Sequence, residues 1–193
     1  LATPAVAIQR AQDIATRMAE DSAQAMRLAM ELTRKFDSKT LNRVQELENN
    51  TDRYEDALGT YLVQLSSRSL SVSDSRILNT LLYTISDVER IADHAVNVGK
   101  AALEMDEKKI HFSQQAQGEL EVLERAVSDI LGRTVEAYRS FDRELARKVE
   151  PQEQVVDALV REIKSRHIRR LRDGRCSVEY GFVLEDLLTA FER

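Results

Sequence analysis

Apolar residues along this chain recur at steps of three and four, which marks helices that bury one stripe each. The pattern predicts six of them. The first runs from about Pro4, a favourable first-turn proline, to Lys35. The second begins near Asp37 or Ser38, both good caps, and ends near Ser67. The third starts after Ser71 or Ser73 and reaches Met105, and the fourth covers about Ser113 to Ser140. The fifth starts near Asp142 and ends at Arg172, ahead of the Asp173-Gly174 stop. Pro151 falls inside it and predicts a kink or a break. The sixth begins near Ser177 and is still in pattern at the last residue.

Two helices break their own pattern with acids. The third builds its stripe through Leu78, Leu81, Leu82, Ile85 and Val88, then places Glu89 at the next position and Asp93 one turn on. The second enters through Leu41 and Val44 and leaves through Leu58, Leu62 and Leu65, with Glu48, Thr51, Asp52 and Glu55 between. Glu48/Asp52 and Glu89/Asp93 are each four apart, so each pair projects from one side of its helix. Glu153 and Asp157 repeat the spacing on the fifth helix, and Glu192 stands alone on the sixth.

The recurrence is part of an internal duplication. Glu31, Arg34, Phe36, Asp37, Val44, Glu48 and Asp52 match Glu136, Arg139, Phe141, Asp142, Val149, Glu153 and Asp157 at one constant offset. Leu81, Glu89 and Arg90 match Leu184, Glu192 and Arg193 at an offset two shorter. The fold class expected is therefore all-α, six helices as two tandem antiparallel three-helix bundles, residues 1–107 and 108–193.

Composition narrows the function. Two prolines, six glycines and no tryptophan in 193 residues suit long helices. A net charge of -5 argues against a nucleic-acid partner. The basic run Lys164–Arg175 reads as a solvated helix end complementing the dipole. One cysteine, Cys176, excludes an internal disulfide and a thiolate zinc cluster, and reads as structural. No stretch is long and apolar enough for a membrane span. Opening on Leu1 and stopping in pattern at Arg193, the chain reads as a piece of something longer.

Ionised carboxylates on an inward stripe need compensation. One solution is ion pairing with Arg34, Arg53, Arg90 and Arg139 on neighbouring turns; another is a bundle that splays open there. The third is a shared polyanionic site holding divalent or trivalent cations, for which oxygen-only ligands suit Mg, Ca, Mn or ferric iron. Its candidate ligands are Glu48, Asp52, Glu89, Asp93, Glu153, Asp157 and Glu192. A redox di-iron bundle fits poorly, because Glu89–His94 and Glu162–His167 are five apart rather than three. His94 reads as a residue behind the acids or at the surface, and His111 as a loop residue. No nucleophile–base pair and no glycine-rich phosphate loop is visible, so no catalytic residue is expected.

The acidic spacing on the second helix, followed by ERIADHAVN at 89–97 and a second copy of both motifs, resembles the PhoU family over nearly the whole chain. That resemblance implies iron or zinc bound at the same seven residues, and regulation rather than catalysis. LATPAVAIQRAQDIATRMAE at the start is similar to the lead-in of the cytoplasmic PhoU domain of bacterial sodium/phosphate cotransporters. The expectation is then a regulatory domain at the cytoplasmic face of the membrane, with the same polypeptide's transport domain as partner. Inorganic phosphate and a second copy of the chain are further expected partners. The alternatives are a free-standing negative regulator of the phosphate ABC transporter and its signalling kinase, or a purely structural helical adaptor.

Overall fold

The computed structural model describes residues 3–193, all of whose regular structure is helical. The six expected stretches are present: α1 (Pro4–Arg34), α2 (Ser38–Ser66), α3 (Val72–Glu107), α4 (Gln114–Ser140), the fifth divided into α5 (Arg143–Ala146) and α6 (Val149–Arg172), and α7 (Val178–Glu192). Leu1 and Ala2 of the lead-in lie outside the described residues.

Local chemistry sets these boundaries. Asp37, Ser71, Ser113 and Ser177 each accept the backbone N–H three residues on, at 2.9, 3.0, 3.3 and 3.3 Å, so each begins a helix by satisfying a donor the helix cannot. Asp142, the duplicate of Asp37, caps in the same way, accepting from Glu144 and Leu145. The break in the fifth stretch falls at Arg147–Lys148 rather than at Pro151 itself. Proline has no N–H to give the carbonyl of Arg147 and its ring collides with that group, so the helix restarts and Pro151 sits harmlessly in the first turn of α6. At the other end Gly174, at φ 68, reverses the chain and Arg175 N–H closes on the Arg170 carbonyl at 2.8 Å.

α1, α2 and α3 pack mutually, and the second copy adds α4 against α1 and α7 against α3, with α6 between α4 and α7. The interior consists of two apolar clusters. One joins Ala7–Ala19 of α1 to Leu58–Leu65 of α2 and Leu78–Val88 of α3. The other joins Ala25–Leu32, Leu41–Leu47 and Ala95–Met105 to residues of α4, α6 and α7, so both copies share one core. Small residues let α3 approach its neighbours: a Cβ on buried Gly99 would stand 2.8 Å from a Leu41 methyl. An ion pair with a buried carboxylate also crosses between copies, where Glu124 of α4 accepts from Thr33 at 2.9 Å and from the exposed Arg34.

Leu123 is fully buried in the shared core. Leu123→Ala is expected to cost about 2–5 kcal/mol and to move one urea transition as a whole; two separated transitions would show that the copies unfold independently.

Candidate functional site

The acids fall in the gap between the two cores. Buried residues on α2 stop at Leu47, pause at Thr51, and resume at Leu58. On α3 the apolar clusters end at Val88 and begin again at Ala95. The stripe does not pass through the acids, as the sequence pattern suggested. It continues through Thr51 and Ala92, both buried, and Glu48, Glu55 and Glu89 flank it half-buried, with Asp52 and Asp93 exposed. α1 contributes Ser22 to the same gap, fully buried and without a hydrogen-bond partner for its hydroxyl.

The first-copy acids lie within electrostatic range of one another. Burial first, then Asp93, pushes the Glu89 carboxyl above its ordinary range, with Glu55, Asp52 and Glu48 adding in the same direction. Glu48 is raised by burial, then by Asp93 and Asp52, while Lys100 opposes. Glu55 accepts from Ser86 of α3 at 2.7 Å, tying the two helices together beside the belt. His94 is pushed down, chiefly by burial and then by Arg90, which disfavours its charged form.

Three of the four arginines expected to neutralise the belt are engaged elsewhere. Arg34 binds Glu124, Arg90 reaches Asp87 at 3.9 Å, and Arg139 binds Glu136 and approaches Glu20 at 3.9 Å. Among the described residues, Arg53 forms no ion pair, and neither does Glu48, Asp52, Glu89 or Asp93. The second copy differs. Asp157 lies 3.8 Å from Arg161, and Glu192 shares Lys164 with Glu185, at 3.4 and 2.9 Å. Glu153 is exposed on α6. The duplicated motif is thus uncompensated in the first copy and largely neutralised in the second.

An oxygen-only set of mutually repelling carboxylates with no ion pair among the described residues fits a hard metal ion in its chemistry. Among the described residues no three His, Cys, Asp or Glu side chains stand together as a ready-made ligand set. Glu48, Asp52, Glu89 and Asp93 would have to turn toward a shared ion.

The PhoU domain profile matches residues 15–102 and 120–193, which together take in both copies and the acidic motifs. The chain belongs to the PhoU family. A phosphate-specific transport system accessory protein PhoU homolog 1 from Thermotoga maritima is 27% identical over 115 residues, 56% of this chain and 46% of the relative. A Pseudomonas aeruginosa PhoU homolog of the same name is 26% identical over 124 residues, 63% and 50% of the two chains. The alignments therefore span about half the length of these curated relatives. The fold is that of PhoU from Pseudomonas aeruginosa, with a TM-score of 0.89 at 19% identity over 98% of this chain and 90% of the other. The PhoU regulatory protein from Streptococcus pneumoniae gives 0.86 at 15% identity, over 98% and 88%. Both sequence relatives are named as phosphate-specific transport system accessory proteins rather than as cotransporter domains. Among the described residues no helix is long and apolar enough to cross a membrane.

One group of residues escaped the sequence reading. Arg170 and His167 of the basic run are buried, Arg170 paired with Glu119 of α4 at 2.9 Å, while Arg166 and Arg169 are solvated as expected. Cys176 is not isolated either, with its Sγ 3.8 Å from His167 Nδ1. Burial, then Arg170, holds His167 below the usual histidine range. His167 and Arg170 continue the buried stripe of Val156, Val160 and Ile163 at steps of four and three, and that continuation was the available signal.

A raised carboxyl takes up protons more readily folded than unfolded, so its charge costs stability as pH rises through its range, and the full cost persists above it. Glu89→Gln is therefore expected to stabilise the metal-free protein at pH 7 by about 0.5 kcal/mol after solvent screening, roughly 1–2 °C in Tm. The gain should fade as pH drops through the ordinary carboxylate range, and thermal melts across that range would reveal a reversed or pH-independent effect.

Proposed function

We propose that this PhoU-family chain is a non-enzymatic regulator of phosphate uptake, an accessory to a phosphate-specific transport system acting at the cytoplasmic side of the membrane. The reading rests on family membership together with the accessory-protein name borne by both sequence relatives. The partner is then a separate transporter, with the phosphate-signalling kinase as a further one, rather than a transport domain of the same polypeptide.

The observation that carries the mechanism is the belt of uncompensated carboxylates on α2 and α3. Glu48, Asp52, Glu89 and Asp93 are the residues that would hold a divalent or trivalent cation, iron or zinc by family likeness. Glu153, Asp157 and Glu192 form a weaker second set, because Arg161 and Lys164 already neutralise two of them. When bound, the metal supplies positive charge that cancels the repulsion across the α2–α3 seam and presents an electrophilic surface to anions such as phosphate. The chain's own residues do the rest. Thr51 and Ala92 keep the seam closed behind the acids, and the Glu55–Ser86 bond holds its register. His94, whose charged form burial disfavours, would be an outer partner rather than a competing cation.

Metal analysis of protein purified without chelator is expected to find bound metal in the wild type. A Glu89→Ala/Asp93→Ala variant should lose most of it, along with the stabilisation on metal addition, which is about 2.7 kcal/mol at free metal a hundredfold above Kd. Equal metal content in the two proteins would remove the belt from the mechanism. Deletion of the gene should change phosphate uptake by its host, and unchanged uptake would remove the accessory role.

A further inference from the structure

The belt lies at the α2–α3 seam. On the other side of α2, at its seam with α1, the surface opens into a groove of about 320 Å³. Buried Ala11 and Leu58 line it together with half-buried Ile14 and exposed Arg10, Tyr54 and Tyr61. The two tyrosines stand two turns apart on one side of α2, roughly 10 Å along the axis, and are 49% and 43% exposed. A groove of this size lies at the small end of ligand pockets, about 300–1,000 Å³, and admits anchoring side chains rather than a whole cofactor.

The duplication shows that the fold does not require these side chains. At the constant offset that relates α1 and α2 to α4 and α6, Ile14 corresponds to Glu119 and Tyr61 to Arg166, which lie 3.6 Å apart. Leu65 corresponds to Arg170, which closes on Glu119 at 2.9 Å. The second copy thus shuts its seam with charge, whereas the first leaves the same positions apolar, aromatic and open. Exposed tyrosine beside arginine is the composition of interface anchors.

Charge around the groove selects what fits it. Arg10 lines it, Arg17 continues the same stripe past Ile14, and Arg53 precedes Tyr54. Among the described residues none of these three arginines forms an ion pair. Acids on the same stretch of α1 are engaged: Asp13 accepts from Gln9 at 3.2 Å, Glu20 approaches Arg139 at 3.9 Å, and half-buried Asp21 lies within range of Arg43. On α2 the helical period places Asp52 and Asp56 opposite the tyrosines, and Glu55 is bound to Ser86 of α3. An occupant must therefore bring apolar side chains for the slot and carboxylates for its rim. An anionic membrane is the poorer match, because it would meet the net charge of -5 as well as the arginines and cannot enter a concave slot.

We propose that the α1–α2 groove docks an acidic amphipathic segment of a partner protein, its apolar side chains seated between Tyr54 and Tyr61 and its carboxylates against Arg10, Arg17 and Arg53. This is the helix-in-groove mode of recognition. It uses no residue of the belt and does not rest on the metal or transport readings.

A phage-displayed library of random peptides, panned on the wild-type chain with counterselection on Tyr54→Ser/Tyr61→Ser, is expected to yield peptides of net negative charge with recurrent aliphatic or aromatic residues. The chain has no tryptophan, so a selected peptide synthesised with one tryptophan reports its own binding by fluorescence. Its Kd should rise at least tenfold with Tyr54→Ser/Tyr61→Ser and about threefold with Arg10→Gln/Arg53→Gln, and the arginine variant should also lose much of the salt dependence. Circular dichroism should show both variants folded, since the altered side chains are exposed; if the tyrosine variant fails to fold, the arginine variant decides. Failure to enrich, enrichment of neutral or basic peptides, or equal binding by wild type and variants overturns the proposal. Sedimentation with phosphatidylserine vesicles that is lost in the same variants would assign the face to a membrane and overturn it equally.

Discussion

Repulsion among like charges at the α2–α3 seam is the constraint around which the first half of this molecule is arranged. Glu89 feels four other carboxylates and no ion-paired base, and burial adds to the cost of its charge. Left to themselves, two helices bearing such a row would splay. They are prevented from doing so by an apolar cluster at either end of the row, one reaching Leu58 and Val88, the other resuming at Leu47 and Ala95. Hydrophobic burial at both ends thus offsets an unfavourable stretch between them. A segment destabilised by its own charge and held in place by its neighbours is a common arrangement at functional sites.

The two copies show why a repeated motif need not be a repeated site. Glu48/Asp52 and Glu153/Asp157 are identical in spacing, yet the first pair lies within electrostatic range of acids on a neighbouring helix, whereas in the second copy Asp157 meets Arg161 and Glu192 is held by Lys164. The substitution that matters lies outside the motif. Lys164 approaches Glu185 and Glu192 together, whereas the first copy has only Lys100, a minor opposing influence on Glu48. Charge on the adjacent turn, rather than the acids themselves, separates an unpaired acidic row from a salt-bridged surface.

Much of this was legible in the sequence because it is local. Caps at Asp37, Ser71, Ser113 and Ser177 act within one turn, and the stop at Gly174 needs only a residue tolerant of positive φ. The duplication gave the helix order, and the family likeness was carried by the acids themselves. Two errors were also local in cause: Pro151 displaced its break by a turn, and the acids were set on the buried stripe when Thr51 and Ala92 occupy it. What could not be read was long-range. Arg170 looked like one more solvated base until Glu119, 51 positions earlier, was found against it. Cys176 gains its histidine only because the α6–α7 turn folds the chain back on itself. The core shared by both copies has the same character, since helical periodicity identifies a buried face without naming what covers it.

Rigidity decides how a change of charge on the belt can act. α3 carries half of the acids, lies against α1 and α2, and is also the surface on which α7 packs. Along its inner side run Ala92, Ala95, Gly99, Ala101 and Ala102, which bring the helix axes close and leave few rotamers to absorb a shift. Interfaces packed in this way move as units rather than by local yielding. Relief of repulsion at Glu48 and Glu89 would therefore be felt as a change in how firmly α2 and α3 are held together, and through α7 by the second copy as well. A regulator that works by contact needs that property, because its signal has to reach a surface away from the group that is titrated or bound.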